Sequence, residues 1–470
     1  MFSRRAILQT LGTVALAGGA RAQSPAFRLT HRTLGRTGRW VAPLGLGGQA
    51  TLQWTGQGLD PVDIIVRAVE LGVNYLDSAN AYGPSQANYG QAFARLHVTP
   101  ADPDYNAALR EHLYIATKTG QRYAFDKSRP NAASAVTELM RSLTVMFGDG
   151  HGWIPDGAYL DAIQIHNLTT PAQVDQIYEG MDDRFNLRNR DRIGALAGLL
   201  DFRDGTNFTG LNPEHKHWVR HIGITGHHSS PVLMNALQRD EQQILDTMLV
   251  ALNANDRKYS SHQYNVIPLA RARGVGIIAM KAFADGVFYG KDARFSNRPD
   301  DVVLSVGRPG SVEAADIVRY PLGIPGVSVL ITGIGKIDRE SPNYDQLACN
   351  LTAAVLDPAG ERERRSIEDA VADRHGTNTN YFQERRAFAH PAGVRSEISG
   401  ERIVVSWNTG YAGAEPIASY NVYSGDRLVA SLPYLPQLTT APLSVTLRME
   451  EAGEGPFRVE ASEKAPAEFY

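Results

Sequence analysis

At 470 residues, with 43% hydrophobic and 21% charged side chains, the chain is long enough to bury more than one core. A net charge of −3 argues against a basic nucleic-acid-binding face, and a single cysteine, Cys349, excludes an intrachain disulfide.

In chain order, Ser3-Arg4-Arg5-Ala6-Ile7-Leu8 precedes a weakly apolar run, and Ala20-Arg21-Ala22-Gln23 is an A-x-A-type cleavage site. The pattern predicts a twin-arginine signal peptide over 1–22, too short for a stable membrane anchor. It predicts export through the twin-arginine translocase, to the periplasm or otherwise out of the cytoplasm. An ordinary amphipathic helix is the plainer alternative. Residues 32–40 predict a small hairpin turning on Gly35 to Gly38. From about Leu44 to Thr332, apolar β-rich runs alternate with amphipathic helical stretches. The predicted strands are 43–48, 73–77, 113–118, 162–166, 222–225, 248–252, 276–280 and 328–332. Helical patterns at 61–71, 131–147, 231–238 and 312–320 lie between them. Eight strands so connected imply an α/β fold, a (β/α)8 TIM barrel, with its C-terminal helices spanning 30–388. Residues 182–216, polar and without clean periodicity, predict an inserted loop, and 283–308 a second long loop. The charged stretch 356–388 predicts a solvated helix. Alternating runs at 403–407, 417–423, 429–432, 443–447 and 457–461 predict a small all-β sandwich over 396–470.

Four ionisable residues stand at or just past strand ends: Asp77, Tyr82, Lys118 and His166. In a TIM barrel those ends converge on one mouth. Each has a plain reading: a loop cap, a packed aromatic, a snorkelling lysine, a satisfied core histidine. Together on one face they form a proton-transfer set. Histidines 215, 217, 221, 227 and 228 lack acidic or cysteine partners at ligand spacing, so no metal site is expected.

Asp77-Ser78-Ala79-Asn80-Ala81-Tyr82-Gly83, Lys118 and Gln164-Ile165-His166-Asn167 resemble the aldo-keto reductase signature. The resemblance runs from about Leu34 to Leu351 and takes in 222–227, 276–281 and 333–336. It implies NAD(P)H-dependent carbonyl reduction or alcohol oxidation of a small molecule. It also implies a dinucleotide lying across the barrel mouth, and no convincing Rossmann glycine fingerprint is present. The resemblance makes Tyr82 the general acid. Lys118 would lower its pKa by favouring phenolate, Asp77 would orient Lys118, and His166 would bond the substrate oxygen. For the cofactor it places Asn167 on the nicotinamide amide, and Met280, Lys281, Phe283 and Gly286 near the pyrophosphate. Gly333, Gly335, Lys336 and Arg339 fall near the adenosine phosphate, where Lys336 and Arg339 would favour NADP(H) over NAD(H). The family's strand-six glutamine is missing, with Asn253 as the substitute on offer. Cys349 replaces the carboxylate of an acidic–Asn pair, Asn350 fits an adenine contact, and 341–344 is an insertion.

The tail resembles a fibronectin type III module, with Trp407 as its core tryptophan and Tyr420 and Tyr423 on the next strand. Gly455 and Pro456 stand where a tyrosine is expected. Binding of a polymer or partner and simple packing on the barrel are both open for this domain. The leading expectation is an exported oxidoreductase. Because a nicotinamide pool is not expected outside the cytoplasm, it would carry tightly bound NADP(H), recycled between two substrates, with loops 182–216 and 283–308 as clamps. Export and the β-domain tilt the expected substrate towards a sugar. The competing expectations are a non-catalytic redox-sensing or accessory protein on the same barrel, and a cytosolic reductase with a false signal.

Overall fold

The computed structural model describes residues 29–463, apart from 308 and 454, so the expected signal at 1–22 lies outside the described residues. Strands β1 (Arg32–Thr33) and β2 (Trp40–Val41) form the foreseen antiparallel hairpin. Its turn needs Gly35 twice over. The residue has φ 49°, and a Cβ there would lie 2.2 Å from the Gly276 backbone nitrogen.

Eight parallel strands then close a barrel: β3 (Leu44–Leu46), β4 (Tyr75–Asp77), β5 (Tyr114–Thr119), β7 (Leu160–Ile165), β9 (Val219–Gly226), β10 (Leu245–Ala251), β11 (Gly276–Met280) and β12 (Val327–Thr332). Two further strands, β6 (Tyr123–Asp126) and β8 (Arg192–Gly194), make a side ribbon. The barrel strands are buried almost throughout, which is why they read as near-continuous apolar runs. One cluster fills the barrel interior around Tyr75, Tyr114, Leu249, Ile278 and Val329, and a larger one lies between strands and helices. Local signals set the helix starts. Asp60 accepts from the Val62 and Asp63 amides ahead of helix Pro61–Glu70, Ser134 caps Ala135–Phe147, and Thr170 caps Pro171–Tyr178. No helix among the described residues is long and apolar enough to cross a membrane.

The hairpin seals the barrel floor, at the N-terminal strand ends. Arg32 donates to the carbonyls of Leu322 (2.9 Å) and Val327 (3.0 Å), and Arg36 to Asp246 (3.1 Å). Two expectations are corrected. Residues 182–216 are not a plain loop: helix Ala195–Asp204 buries Leu196, Leu199, Leu200 and Phe202. It is apolar nearly all round, so it shows no amphipathic period. The stretch 356–388 is helical only over Glu361–His375. The helix stops at Gly376, φ 71°, and the chain beyond it crosses the barrel mouth.

Among the described residues, six strands make the C-terminal sandwich: β13 (Ala392–Ser399), β14 (Arg402–Asn408), β15 (Ile417–Ser424), β16 (Arg427–Pro433), β17 (Leu443–Arg448) and β18 (Phe457–Glu463). They pair antiparallel as two sheets, β13–β14–β17 and β16–β15–β18. Trp407 is buried between them, its ring edge-on to Tyr420 at 5.7 Å. Strand β13 was not foreseen, because it is exposed almost end to end and shows no apolar alternation. The sandwich packs on the barrel. The Asn265 side chain bonds both backbone groups of Ala412 (2.8 and 3.0 Å), Glu415 accepts from Arg257 and Arg365, and Gln238 donates to the Gln437 carbonyl (3.0 Å).

Candidate active site

Asp77 ends β4, Lys118 is the last residue but one of β5, and His166 follows β7 directly. Tyr82 sits in the turn ahead of helix Ser85–Arg95. The barrel brings all four to one mouth. The Lys118 ammonium bonds an Asp77 carboxylate oxygen and donates to the Ser78 carbonyl (2.8 Å). Both side chains are 1% exposed. Lys118 Nζ lies 4.7 Å from the Tyr82 ring centre, and the Tyr82 hydroxyl is 3.5 Å from His166 Nε2. A second glycine is fixed by this packing. A Cβ on Gly48, just after β3, would lie 2.6 Å from the Asp77 carbonyl oxygen and 2.8 Å from Ser85 Oγ.

Burial pushes the Asp77 carboxyl upward against the pull of Lys118. Burial is the strongest single influence on Lys118 and would lower it, but Asp77 and Tyr82 together outweigh it and the amine stays charged. Burial, then the cations Lys118, Arg122 and Lys281, press His166 down to about 3, so its imidazole is neutral at working pH. For Tyr82, burial raises the phenol and Lys118 lowers it, and burial wins. Lys118 thus acts on Tyr82 in the expected sense, while the net shift runs the other way.

Beside the tetrad opens a cleft running from Asp77, Tyr82 and Lys118 past Met280, Lys281, Phe283 and Gly286 to Gly333 and Asn350. Of the tetrad, His166 lies behind Tyr82 and does not line it, and neither do Asn253, Asn167, Gly335, Lys336 and Arg339. Asn253 is turned away: its amide is engaged with Asn380 and the Lys281 carbonyl. From that strand Leu249 faces the cleft instead. Arg339 is paired with Asp63 (2.7 Å) and Glu70 (3.1 Å) on the helix after β3, partly exposed contacts that a phosphate would have to displace. Lys336 stays half-exposed, 3.8 Å from Asp338. Gly335 N is taken by Gln346 Oε1 (2.6 Å). Asn167 adopts φ 55°, and its side-chain oxygen is buried without a partner.

Sequence reasoning missed Gln49, Asp285 and Asp301, which also line the cleft. Asp285 accepts from Lys281, from Lys291 (2.9 Å) and from the Tyr381 hydroxyl (2.6 Å). Burial would raise its carboxyl, but the two lysines hold it down at about 2. Lys281, Ala284, Asp285 and Gly286 all have positive φ, and only Gly286 advertises that in the sequence.

The residues present fit an elongated dinucleotide. Gly47, Gly48, Gly286 and Gly333 bring bare backbone to the cleft, where a phosphate can approach closely. Met280 and Lys281 would lie along the dinucleotide, with Asn350 at its far end.

The sequence profile of the aldo/keto reductase family matches residues 43–201. A 6-dehydroglucose reductase of Novosphingobium aromaticivorans is 32% identical over 203 residues, 40% of this chain and 60% of that protein. The chain thus spans about 60% of the length of the curated relative it matches. Among solved structures, an aldo/keto reductase from Klebsiella pneumoniae in complex with NADP and acetate aligns over 73% of this chain and 94% of its own, at 15% identity and TM-score 0.43. A Bombyx mori aldo-keto reductase in complex with NADP aligns over 75% and 100%, at 16% identity and TM-score 0.46. The residues that match the family profile, 43–201, carry Asp77, Tyr82, Lys118 and His166 and form the first half of the closed barrel.

Proposed function

We propose that the chain is an NAD(P)H-dependent oxidoreductase that transfers a hydride between a nicotinamide and a carbonyl or alcohol, with Tyr82 as general acid and base. One observation carries the reading: a buried Lys118–Asp77 pair lies against Tyr82, whose hydroxyl reaches His166 beside an open cleft. A bound nicotinamide would supply the hydride. The chain's own groups handle the proton. Neutral His166 donates an N–H to the carbonyl oxygen and steers it towards Tyr82. Tyr82, kept protonated by burial, gives its proton to that oxygen as negative charge develops. The Lys118 ammonium then steadies the phenolate, and Asp77 fixes Lys118 and balances its charge. Oxidation runs the same steps in reverse.

The 6-dehydroglucose reductase likeness supports a sugar as substrate. NADP(H) is the favoured cofactor, on Lys336 first, since Arg339 is paired with Asp63 and Glu70. The Arg4-Arg5 leader supports export to the periplasm with the cofactor already and tightly bound. The three-on-three sandwich around Trp407 supports the fibronectin type III likeness. The test is purification of the mature protein without added cofactor, an assay for bound dinucleotide, and a turnover screen of keto-sugars that includes 6-dehydroglucose. Tyr82→Phe should lose roughly 10²–10⁴-fold in turnover while still binding nucleotide. Unchanged turnover would favour the non-catalytic alternative. A mature N-terminus at Gln23 would support export, and an intact Met1 would refute it.

A further inference from the structure

Residues 377–388 run from the last barrel helix to the sandwich and cross the ends of β9, β10 and β11 as a strap. The Glu384 amide donates to the His228 carbonyl (3.0 Å), and its carboxylate accepts from Ser229 (2.8 Å). The Asn380 side chain exchanges two hydrogen bonds with Asn253 (2.9 and 3.1 Å). Phe382 is 5% exposed and packs into the barrel interior cluster. Next to it, the Tyr381 hydroxyl donates to Asp285.

Asp285 makes this contact consequential. It holds Lys281, and Lys281 Nζ reaches Gln49 Oε1 at 3.4 Å. Gln49 follows β3 and Lys281 follows β11, and both line the cleft. A continuous set of polar contacts, Tyr381–Asp285–Lys281–Gln49, therefore ties the strap to two sides of the site. The far end of the strap is pinned by the sandwich. Ala389 and Tyr411 exchange backbone bonds (2.9 Å each), and Glu415 is held by Arg257 and Arg365.

We propose that the sandwich clasps this strap in place, and that Tyr381 is a positioning residue which, through Asp285 and Lys281, slows release of the dinucleotide from the cleft. The inference rests on the dinucleotide reading above. It gives the C-terminal domain an intramolecular role in keeping a cofactor that an exported protein cannot replace. Lys281 is a cation that a pyrophosphate attracts, and a Lys281 held by Asp285 is fixed in position rather than swinging free. Loss of the Tyr381 hydroxyl loosens Asp285 first, then Lys281.

The experiment uses the full mature chain loaded with NADPH. Stopped-flow fluorescence measures release into excess unlabelled NADP⁺. Tyr381→Phe keeps the ring and removes one hydrogen bond to a carboxylate, so release should quicken about tenfold. Glu415→Gln, remote from the cleft, should quicken it in the same direction, and it carries the test if Tyr381→Phe misfolds. A purely structural role would lower the melting temperature and leave the release rate alone. Wild-type release from both variants overturns the proposal. Faster release from Tyr381→Phe alone overturns the part assigned to the sandwich. A wild-type protein that binds no NADPH or NADH overturns the functional reading, and the latch with it. Bound nucleotide with unchanged release rates overturns the latch only.

Discussion

His166→Gln offers a direct test of the electrostatics at the mouth. Burial and three cations hold the His166 imidazole down at about 3, against ~6.5 for a free histidine. A histidine with a lowered folded pKa binds its proton less readily folded than unfolded. Its contribution is neutral above pH ~6.5 and becomes a growing penalty as pH falls towards about 3. At pH 5.0 the unfolded chain has gained this proton and the folded chain has not. The penalty over ~1.5 pH units is then about 2 kcal/mol. The substituted amide would keep an N–H donor and cannot titrate. Urea unfolding of both proteins at pH 7.5 and 5.0 gives a double difference, in which the contributions of the other buried histidines, His227 and His262, cancel. The wild type should lose about 2 kcal/mol more than the variant over that interval. Equal losses in the two proteins would show that His166 titrates normally when folded, and the neutral-imidazole step in the proposed chemistry would fall with it.

Three further outcomes follow from the same geometry. Lys118→Met leaves the buried Asp77 carboxylate unpaired and should cost ~3–5 kcal/mol in unfolding free energy; adding Asp77→Asn should recover part of that loss. Gly48→Ala drives a methyl into the Asp77 carbonyl and should cost ~1–3 kcal/mol, with a fall in turnover as the Asp77 strand end shifts; unchanged melting and turnover would contradict the packing. Asp285, held at about 2 when folded, contributes stability that is full above its unfolded value near ~3.9 and is lost as pH falls to about 2. Asp285→Asn should therefore be about 2–3 kcal/mol weaker at neutral pH, and that gap should close between pH ~4 and about 2 in acid-unfolding curves.

The barrel was legible because each parallel strand is buried on both faces and so writes itself as an apolar run. The tetrad was legible because strand ends converge. What escaped was whatever depends on chain geometry rather than residue type. Helix Ala195–Asp204 hides its period by being apolar all round. The strap at 377–388 has no period, since its work is done by single side chains such as Asn380, Tyr381 and Phe382. Asp285 owes its place to a run of left-handed residues that includes two which rarely adopt that conformation, Lys281 and Ala284. Arg339 shows the opposite case. Its position in the sequence suits a phosphate, but in the fold Asp63 and Glu70, 276 and 269 residues earlier, already pair with it.

The sealed floor has a consequence for the order of events during synthesis. The hairpin at 32–41 is among the first parts of the barrel to be made, yet the residues that hold Arg32 and Arg36 lie 209 to 295 positions downstream. It can lock only after β10, β11 and β12 have emerged, and closure over such separations is slow. The hairpin at 32–41 is thus the last piece of the barrel floor to become rigid. For the export proposed above, this hairpin would serve as a local report on whether the whole barrel has closed.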